Sequence, residues 1–325
     1  MAGRPRVGFV CTARSLPEMR SAVQVLESLG ADSLWAPGHL SIGRDVPEAM
    51  TGLATLAALS ERATVGTAVL LAPLYHPVIV AKQAAELDVL TEGRVAIGVG
   101  VGGEYPAEFR GCQVDPADRG PRTDEAIGVM RSLWTGAPVD NPGKFWPFEG
   151  LSIAPPPVQA GGPAIIVAGR KRPAMRRAAL LGDGWMPFLY SPSRYAESVR
   201  AIRAMAADRG RDLTAFQWMA FVYVRVDDDR DEARRTAAAF IGAGQQGDGS
   251  RFVPIIDHVA VAGTSDDVRA RLQAFLDAGA RHLIIVPCET RDFTGAARLI
   301  ALEIIPGLEV PGAARLTGTP EGGLP

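Results

Sequence analysis

The chain has 325 residues, of which 47% are hydrophobic and 22% charged, which is enough apolar material for a large core and excludes a disordered chain. Its 34 basic and 36 acidic residues give a net charge of −2 without a block of either sign, so neither nucleic acid nor a membrane surface is an expected partner. We find no signal peptide and no membrane span, and three distant cysteines indicate a reduced, cytoplasmic protein without disulfides.

Short apolar runs alternate along the chain with longer runs whose apolar residues recur every three or four positions. The predicted strands are Arg6–Cys11, Ser33–Ala36, Thr64–Leu71, Val95–Val101, Ala164–Ala168, Phe216–Val226, His258–Ala262 and His282–Val286. The helices predicted to follow them are Leu16–Leu29, Pro47–Glu61, Val78–Leu90, Arg122–Trp134, Ala174–Leu181, one from Asp231, Ser265–Ala278 and Ala296–Ile305. Eight such units predict an α/β fold, a single (β/α)₈ TIM barrel over residues 1–306. A doubly wound open sheet is the alternative, because alternation does not show closure.

Two stretches interrupt this alternation. Gly136–Gln159 is rich in proline and predicts an inserted loop or hairpin, and Ile241–Ile256 predicts a mobile insertion. We expect both to act as lids over a substrate that enters at the carboxyl ends of the strands. Their aromatic residues, which favour an apolar or ring-bearing substrate, are Phe145, Trp146 and Phe252. The remaining residues, 307–325, are predicted to form a disordered tail.

The run Gly98–Gly103 matches the G-x-G-x-x-G pattern after a strand. A dinucleotide site needs a helix immediately afterwards and an acidic residue about 20 positions on. Here Glu104-Tyr105-Pro106 follows, which predicts at most a short turn. The preferred interpretation is that glycines at a strand end let a flat ring lie against the backbone.

The segment Ala168-Gly169-Arg170-Lys171-Arg172-Pro173 joins the fifth predicted strand to a helix. Free amides and the positive dipole at a helix start favour a phosphate or another anion, and the cationic side chains strengthen this attraction. The alternative is an ordinary basic surface loop.

His39 follows the second predicted strand and is one of four histidines. A lone histidine is more often structural than catalytic, but the rim of a barrel favours a role facing the ligand. Arg119 and Glu125 flank a helix start, where they form a cap or a solvated face, and Trp185 by default belongs to the core. The sequence contains no Ser/His/Asp order, no phosphate-binding P-loop and no metal-spaced His/Cys cluster, so we expect no bound metal.

The segments together resemble the luciferase-like monooxygenase superfamily, in particular its actinobacterial flavin- or deazaflavin-dependent oxidoreductases. The resemblance covers nearly the whole length and is carried by four stretches. They are GTAVLLAPLYHPVIVAKQAAELDVLTEGRVAIGVGVGGEYPAEF (66–109), DRGPRTDEAIGVMRSLWTG (118–136), IIVAGRKRPAMRRAALLGDGWMP (165–187) and VAGTSDDVRARLQAFLDAGARHLIIVP (261–287).

The resemblance implies a redox ring lying over the strand ends of the barrel. It implies a non-proline cis peptide at Ala68–Val69 beneath the ring and ring-edge positions at Gly102 and Gly103. It further implies a cofactor phosphate held by the loop after the fifth strand and by an arginine turned towards it. The residues that match these phosphate contacts are Gly169, Arg170, Lys171 and Arg119, and we include Ala168 and Trp185 among the cofactor-binding candidates.

His39 matches the histidine of an Asp-His pair that is frequent in the family, and we expect it to be catalytic. The chain has Gly38 where the aspartate usually stands, so neither Pro37 nor Gly38 offers a carboxylate to fix the tautomer of His39. Gly103 stands where many relatives have tryptophan, which implies a roomier pocket.

The leading hypothesis is an oxidoreductase dependent on a deazaflavin, coenzyme F420, that moves a hydride to or from a small organic substrate. The alternative is an FMN-dependent monooxygenase that uses FMNH₂ and O₂, with a separate flavin reductase as partner. A non-catalytic paralogue that binds the cofactor and a sugar- or phosphate-binding barrel without redox chemistry also remain open. The resemblance further implies a homodimer.

Overall fold

The computed structural model describes residues 3–13, 15–43, 45–244 and 249–312. Its strands are β1 (Arg6–Val10), β2 (Ser33–Ala36), β3 (Thr64–Thr67), β4 (Leu70–Leu71), β5 (Val95–Gly100), β6 (Val139–Asn141), β7 (Phe148–Leu151), β8 (Ala164–Ala168), β9 (Gly184–Met186), β10 (Gln217–Val226), β11 (Val261–Gly263) and β12 (His282–Pro287). Its α-helices are α1 (Leu16–Ser28), α2 (Ala49–Leu59), α3 (Pro77–Leu90), α4 (Pro106–Gly111), α5 (Arg119–Leu133), α6 (Arg172–Leu181), α7 (Pro192–Ala207), α8 (Arg230–Gly244), α9 (Ile256–Val259), α10 (Ser265–Asp277) and α11 (Phe293–Leu299).

Parallel strands close into an eight-stranded barrel in the order β1, β2, β3, β5, β8, β9, β10 and β12. The pairing of β9 with β10 closes the barrel, since Trp218 of β10 lies opposite Trp185 of β9 while the other edge of β10 pairs with β12. The short strand β4 continues β3 and pairs with β5. The predicted (β/α)₈ barrel is therefore confirmed, and the open sheet is excluded.

Two of the eight predicted units are assigned wrongly. The sixth barrel unit is β9 followed by α7, which the sequence analysis does not recognise, and the strand predicted at Phe216–Val226 is the seventh. The predicted strand His258–Ala262 is not a barrel strand, because its first half lies in α9. The rest contributes to β11, which pairs with the far end of β10 on the side opposite β12.

The core has two layers, one inside the barrel and one between the barrel and its helices. Trp35 fills the interior, and a Cβ atom at Gly66 would lie 2.4 Å from its ring. The Trp35 indole donates to Ser33 Oγ at 2.7 Å, and Ser33 Oγ lies 2.8 Å from His282 Nε2. The buried Nδ1 of His282 has no hydrogen-bond partner within the part of the chain that the structure describes.

The predicted hairpin at 136–159 is present as the antiparallel pair of β6 and β7. The first part of the predicted tail lies against the barrel, since Leu308 is buried and the Val310 amide donates to the Gly3 carbonyl at 2.9 Å. Residues 313–325 of that tail and residues 245–248 of the second insertion lie outside the described residues. Among the described helices, none is both long and apolar enough to cross a membrane.

Candidate active site

A cleft of about 1150 Å³, including its open mouth, lies at the carboxyl ends of the barrel strands. One wall consists of small residues after β3, β5 and β8, and the opposite wall is aromatic. The small-residue wall includes Ala68, Gly100, Gly102, Ala168 and Gly169. The aromatic wall includes Phe188, Phe221, Tyr223 and Phe240.

The third barrel strand is interrupted at Ala68–Val69, where the peptide bond is cis, and this prediction is confirmed. The neighbouring strand β5 fits against this break only because it carries glycines. A Cβ atom at Gly98 would lie 2.0 Å from the Thr67 carbonyl oxygen, and one at Gly100 would lie 2.7 Å from a Val69 methyl group. Ala68, Val69 and Gly100 all line the cleft.

The glycine pattern after β5 is not a dinucleotide fingerprint. Strand β5 is paired on both sides within the closed barrel. The short turn predicted at Pro106 is the six-residue helix α4, and it begins only after Tyr105. The glycines thus serve close packing and shape the cleft, and a flat ring lying against them stays a prediction.

Gly102 and Gly103 both have left-handed backbone angles, with φ of 63° and 115°. Gly102 lines the cleft, whereas Gly103 faces Arg119, whose Nε would lie 3.5 Å from a Cβ atom placed at Gly103. Arg119 donates to the Pro116 carbonyl at 2.5 Å. The structure therefore places Arg119 behind the glycine turn rather than on the lining of the cleft.

The loop after β8 brings Ala168 and Gly169 to the cleft. Gly169 has a φ of 118°, and a Cβ atom there would lie 2.7 Å from that of Ala174, so the loop turns tightly into α6. The guanidinium of Arg170 lies over the Phe188 ring at 4.7 Å, and the exposed Lys171 is the N-cap residue of α6. Two cations and a helix start thus adjoin one end of the cleft.

Trp185 does not line the cleft. It is fully buried in β9, where its ring packs against Tyr190 and Tyr195. Its indole N–H donates to the Gly169 carbonyl at 3.0 Å. Trp185 is therefore a core residue, as its default interpretation predicts. It contributes to the cleft only indirectly, because its hydrogen bond fixes the position of Gly169.

His39 lines the cleft beyond β2 and has a carboxylate partner, contrary to the expectation drawn from its sequence neighbours. Its Nδ1 lies 3.2 and 3.3 Å from the two carboxylate oxygens of Glu108, which comes from α4. The Glu108 side chain is 1% exposed and also accepts the backbone amides of Leu40 and Ser41, at 2.6 and 3.2 Å. No hydrogen bond to His39 Nε2 is found among the described residues.

Tyr105, the residue before α4, packs against the same histidine. The ring of Tyr105 lies edge-on to that of His39, with centroids 5.1 Å apart. The Tyr105 hydroxyl donates to the Gly244 carbonyl at 2.5 Å, which ties the glycine turn to the end of α8. Glu104, beside it, lines the cleft with an exposed carboxylate. The sequence motifs predict no site role for Glu104, Tyr105 or Glu108, although all three lie shortly after the glycine run Gly98–Gly103.

The predicted aromatic lid residues lie away from the cleft. Arg122 stacks on the Trp146 ring at 4.6 Å, and Glu125 accepts the amides of Phe145 and Trp146 at 3.0–3.1 Å. Glu125 therefore has a structural role, which is to anchor the hairpin to α5. Phe252 is buried in a cluster beside α8. Among the described residues of the second insertion, 241–244 and 249–256, Ile241 and Gly244 of α8 are the ones that line the cleft.

Comparison with known proteins identifies relatives of two kinds. A 4-hydroxyprotoasukamycin monooxygenase from Streptomyces nodosus subsp. asukaensis is 32% identical over 220 residues, which are 64% of this chain but only 58% of the relative. An F420-dependent glucose-6-phosphate dehydrogenase from Nocardia farcinica is 28% identical over 313 residues, 87% of this chain and 92% of the relative.

The fold has counterparts among solved structures. An F420-dependent secondary alcohol dehydrogenase in complex with an F420-acetone adduct superposes with a TM-score of 0.83 at 20% identity, over 94% of this chain and 99% of that one. A model of the luciferase-like monooxygenase family matches residues 5–308, nearly the whole described chain. The chain therefore belongs to the luciferase-like monooxygenase family of oxidoreductases, whose members depend on F420 or FMN.

Proposed function

We propose that this enzyme is an F420-dependent oxidoreductase that transfers a hydride between the deazaflavin and a small organic substrate. The observation that carries the proposal is the hydrogen bond between His39 and Glu108. His39 lines the cleft, one wall of which consists of small residues, and Glu108 holds the imidazole from behind the lining. The F420-dependent dehydrogenase matched over 92% of its length supports F420 over FMN, since the monooxygenase match covers 58% of that relative.

The residues of the cleft fit a cofactor that is flat at one end and anionic at the other. Ala68, Gly100 and Gly102 leave room for a ring, because they line the cleft with at most a methyl group each. Arg170 and Lys171 lie beside the start of α6, where amides and the helix dipole favour a phosphate. When bound, oxidised F420 supplies the hydride acceptor, and its reduced form supplies the donor.

The contribution of His39 follows from its hydrogen bond. A carboxylate can only accept, so Glu108 holds the proton of His39 on Nδ1 and leaves Nε2 as the second, variable site. During oxidation of an alcohol, Nε2 takes the hydroxyl proton as the carbonyl bond forms. During reduction of a ketone, the doubly protonated ring returns that proton to oxygen.

The test is a titration of the purified protein with F420 and, separately, with FMN, following the absorbance of each ring. We expect F420 to bind at least about tenfold more tightly than FMN, a difference of about 1.4 kcal/mol. Tighter binding of FMN, or binding of neither ring, would overturn the proposal.

An FMN-dependent monooxygenase is the second candidate, because the relative with 32% identity is a monooxygenase. The same cleft would then hold reduced FMN for reaction with O₂, and a separate flavin reductase would be required as partner. In either case we propose that the chain acts as a homodimer on a small-molecule substrate.

A further inference from the structure

We infer that the substrate is an uncharged molecule with an aromatic ring, held by the cleft wall formed by Phe188, Phe221, Tyr223 and Phe240, here called the aromatic wall. This inference rests on the proposed function, because it assumes that the small-residue wall opposite holds the cofactor ring. The substrate would then lie between that ring and the aromatic wall.

The aromatic wall is built from two elements and the loop after β9. Phe221 and Tyr223 are two positions apart on β10, so both side chains emerge on the same face of the strand, towards the cleft. Their ring centroids are 5.5 Å apart at an interplanar angle of 72°, and Tyr223 meets Phe240 of α8 at 6.3 Å and 62°. Neither contact is a face-to-face stack, and all three rings are only half-buried. Such rings are suited to edge or face contacts with another aromatic ring.

The charges on the cleft lining favour a neutral substrate. Among the described lining residues there is no lysine and no arginine, and the ionisable groups besides tyrosine are His39 and Glu104. Arg170 turns its guanidinium onto the Phe188 ring, at the end assigned to the cofactor phosphate. A phosphate or carboxylate against Phe221, Tyr223 or Phe240 would lose its hydration without gaining a lysine or arginine from the described lining. A neutral substrate would differ from that of the glucose-6-phosphate dehydrogenase relative, whose name specifies a phosphorylated sugar.

Two probe ketones with the same ring system test the effect of charge on binding. The neutral probe is 2-acetonaphthone, and the anionic probe is 6-acetyl-2-naphthoate, which has the same ring system and an added carboxylate. Binding of each to the F420-loaded protein is measured by calorimetry, so no turnover is needed. We expect 2-acetonaphthone to bind roughly tenfold or more tightly than the naphthoate, because the described lining offers the carboxylate no lysine or arginine.

The variants Phe221→Leu and Phe240→Leu keep an apolar side chain but remove the ring. Each should weaken binding of 2-acetonaphthone by roughly three- to tenfold, the usual range for loss of an aromatic pair. The matched control is Phe145→Leu, in the hairpin outside the cleft, which should leave the affinity unchanged. F420 affinity within about twofold of wild type shows that a variant is folded. Phe188→Leu replaces either variant that fails this check.

The outcomes separate this inference from the proposed function. If F420 binds but 2-acetonaphthone does not, or if the leucine variants bind it like wild type, the aromatic substrate is wrong and the proposed function stands. Equal affinity for the naphthoate would likewise overturn the requirement for a neutral substrate. If F420 does not bind, and 2-acetonaphthone binds the protein without cofactor with the expected loss in the variants, the assignment of the cofactor fails instead.

Discussion

His39 receives its carboxylate partner from Glu108, 69 positions further along the chain. The same carboxylate accepts the amides of Leu40 and Ser41, so it fixes both the imidazole and the loop that carries it. Since Glu108 is almost fully buried and is not part of the cleft lining, we propose that it acts on the reaction only through His39. We regard it as a positioning residue.

Glu108→Gln tests this role, because it keeps the size of the side chain while removing its charge. We expect kcat to fall by roughly tenfold or more, as part of the acid–base contribution of His39 is lost, with F420 affinity within about twofold of wild type. Steady-state kinetics and an F420 titration measure the two quantities. The control is Glu86→Gln, which removes a surface carboxylate paired with Lys82. Equal losses of kcat and of F420 affinity would show that Glu108 merely maintains the fold.

A second residue-scale prediction concerns His282 in the barrel interior. Burial lowers its pKa from 6.5 to about 3, with a smaller contribution from Arg6. The folded protein keeps this ring neutral while the unfolded chain takes up a proton, so the stability that depends on it is present above pH 6.5 and is lost on acidification towards pH 3. The loss at pH 5 is roughly 2 kcal/mol.

Urea unfolding at pH 7.5 and pH 5 measures this dependence. His282→Gln should lose less of its free energy of unfolding between the two pH values than wild type does. The matched control is His258→Gln, which removes an exposed histidine and should behave like wild type. A loss of the same size in wild type and His282→Gln would contradict the assignment.

At the scale of elements, the proposed function assigns the cofactor phosphate to the start of α6. The Trp185 indole N–H donates to the Gly169 carbonyl at 3.0 Å, and the Tyr190 hydroxyl donates to the Arg170 carbonyl at 3.2 Å. The backbone of the loop is thus fixed independently of the Arg170 and Lys171 side chains. Those side chains are therefore open to substitution without loss of the loop.

Replacing Arg170 and Lys171 together with alanine should weaken F420 binding by more than about tenfold, or 1.4 kcal/mol, because charge-assisted hydrogen bonds to phosphate are lost. The titration that measures F420 affinity serves here as well. A control that removes the exposed Arg200 and Arg209 changes net charge equally and should leave affinity unaltered. Unchanged affinity in the Arg170/Lys171 variant would remove this loop from the cofactor site.

Two elements, β9 and α7, are not predicted from the sequence, and they differ in how strongly the local sequence indicates them. Strand β9 has three residues, Gly184–Met186, too few for any periodicity to show. Helix α7 did carry a signal, since Ser191 caps it by accepting the Arg194 amide and a proline follows at the first helical position. The hairpin was predicted, but its anchoring by Glu125 was not, because that carboxylate lies 20 positions before the Phe145 amide it accepts.

At the scale of the whole molecule, the apolar runs and the family resemblance together predict the closed barrel and the break at Ala68–Val69. The chemistry of the cleft depends on contacts that local patterns do not contain. Glu108 reaches His39 through the packing of α4, and Tyr105 reaches Gly244 across 139 positions. The aromatic wall likewise forms only when β10 and α8 meet. The homodimer remains a prediction.

Hydride transfer to a neutral aromatic ketone tests the central claim most directly. Protein loaded with reduced F420 is mixed with 2-acetonaphthone and related aryl ketones that bind it, and the return of oxidised deazaflavin absorbance is followed. We predict turnover by the wild-type protein, and a kcat lower by roughly 100-fold or more in His39→Ala at saturating cofactor, because the proton delivered to the carbonyl oxygen is lost. If bound ketones leave reduced F420 unconsumed, or if His39→Ala turns over like wild type, the account is contradicted.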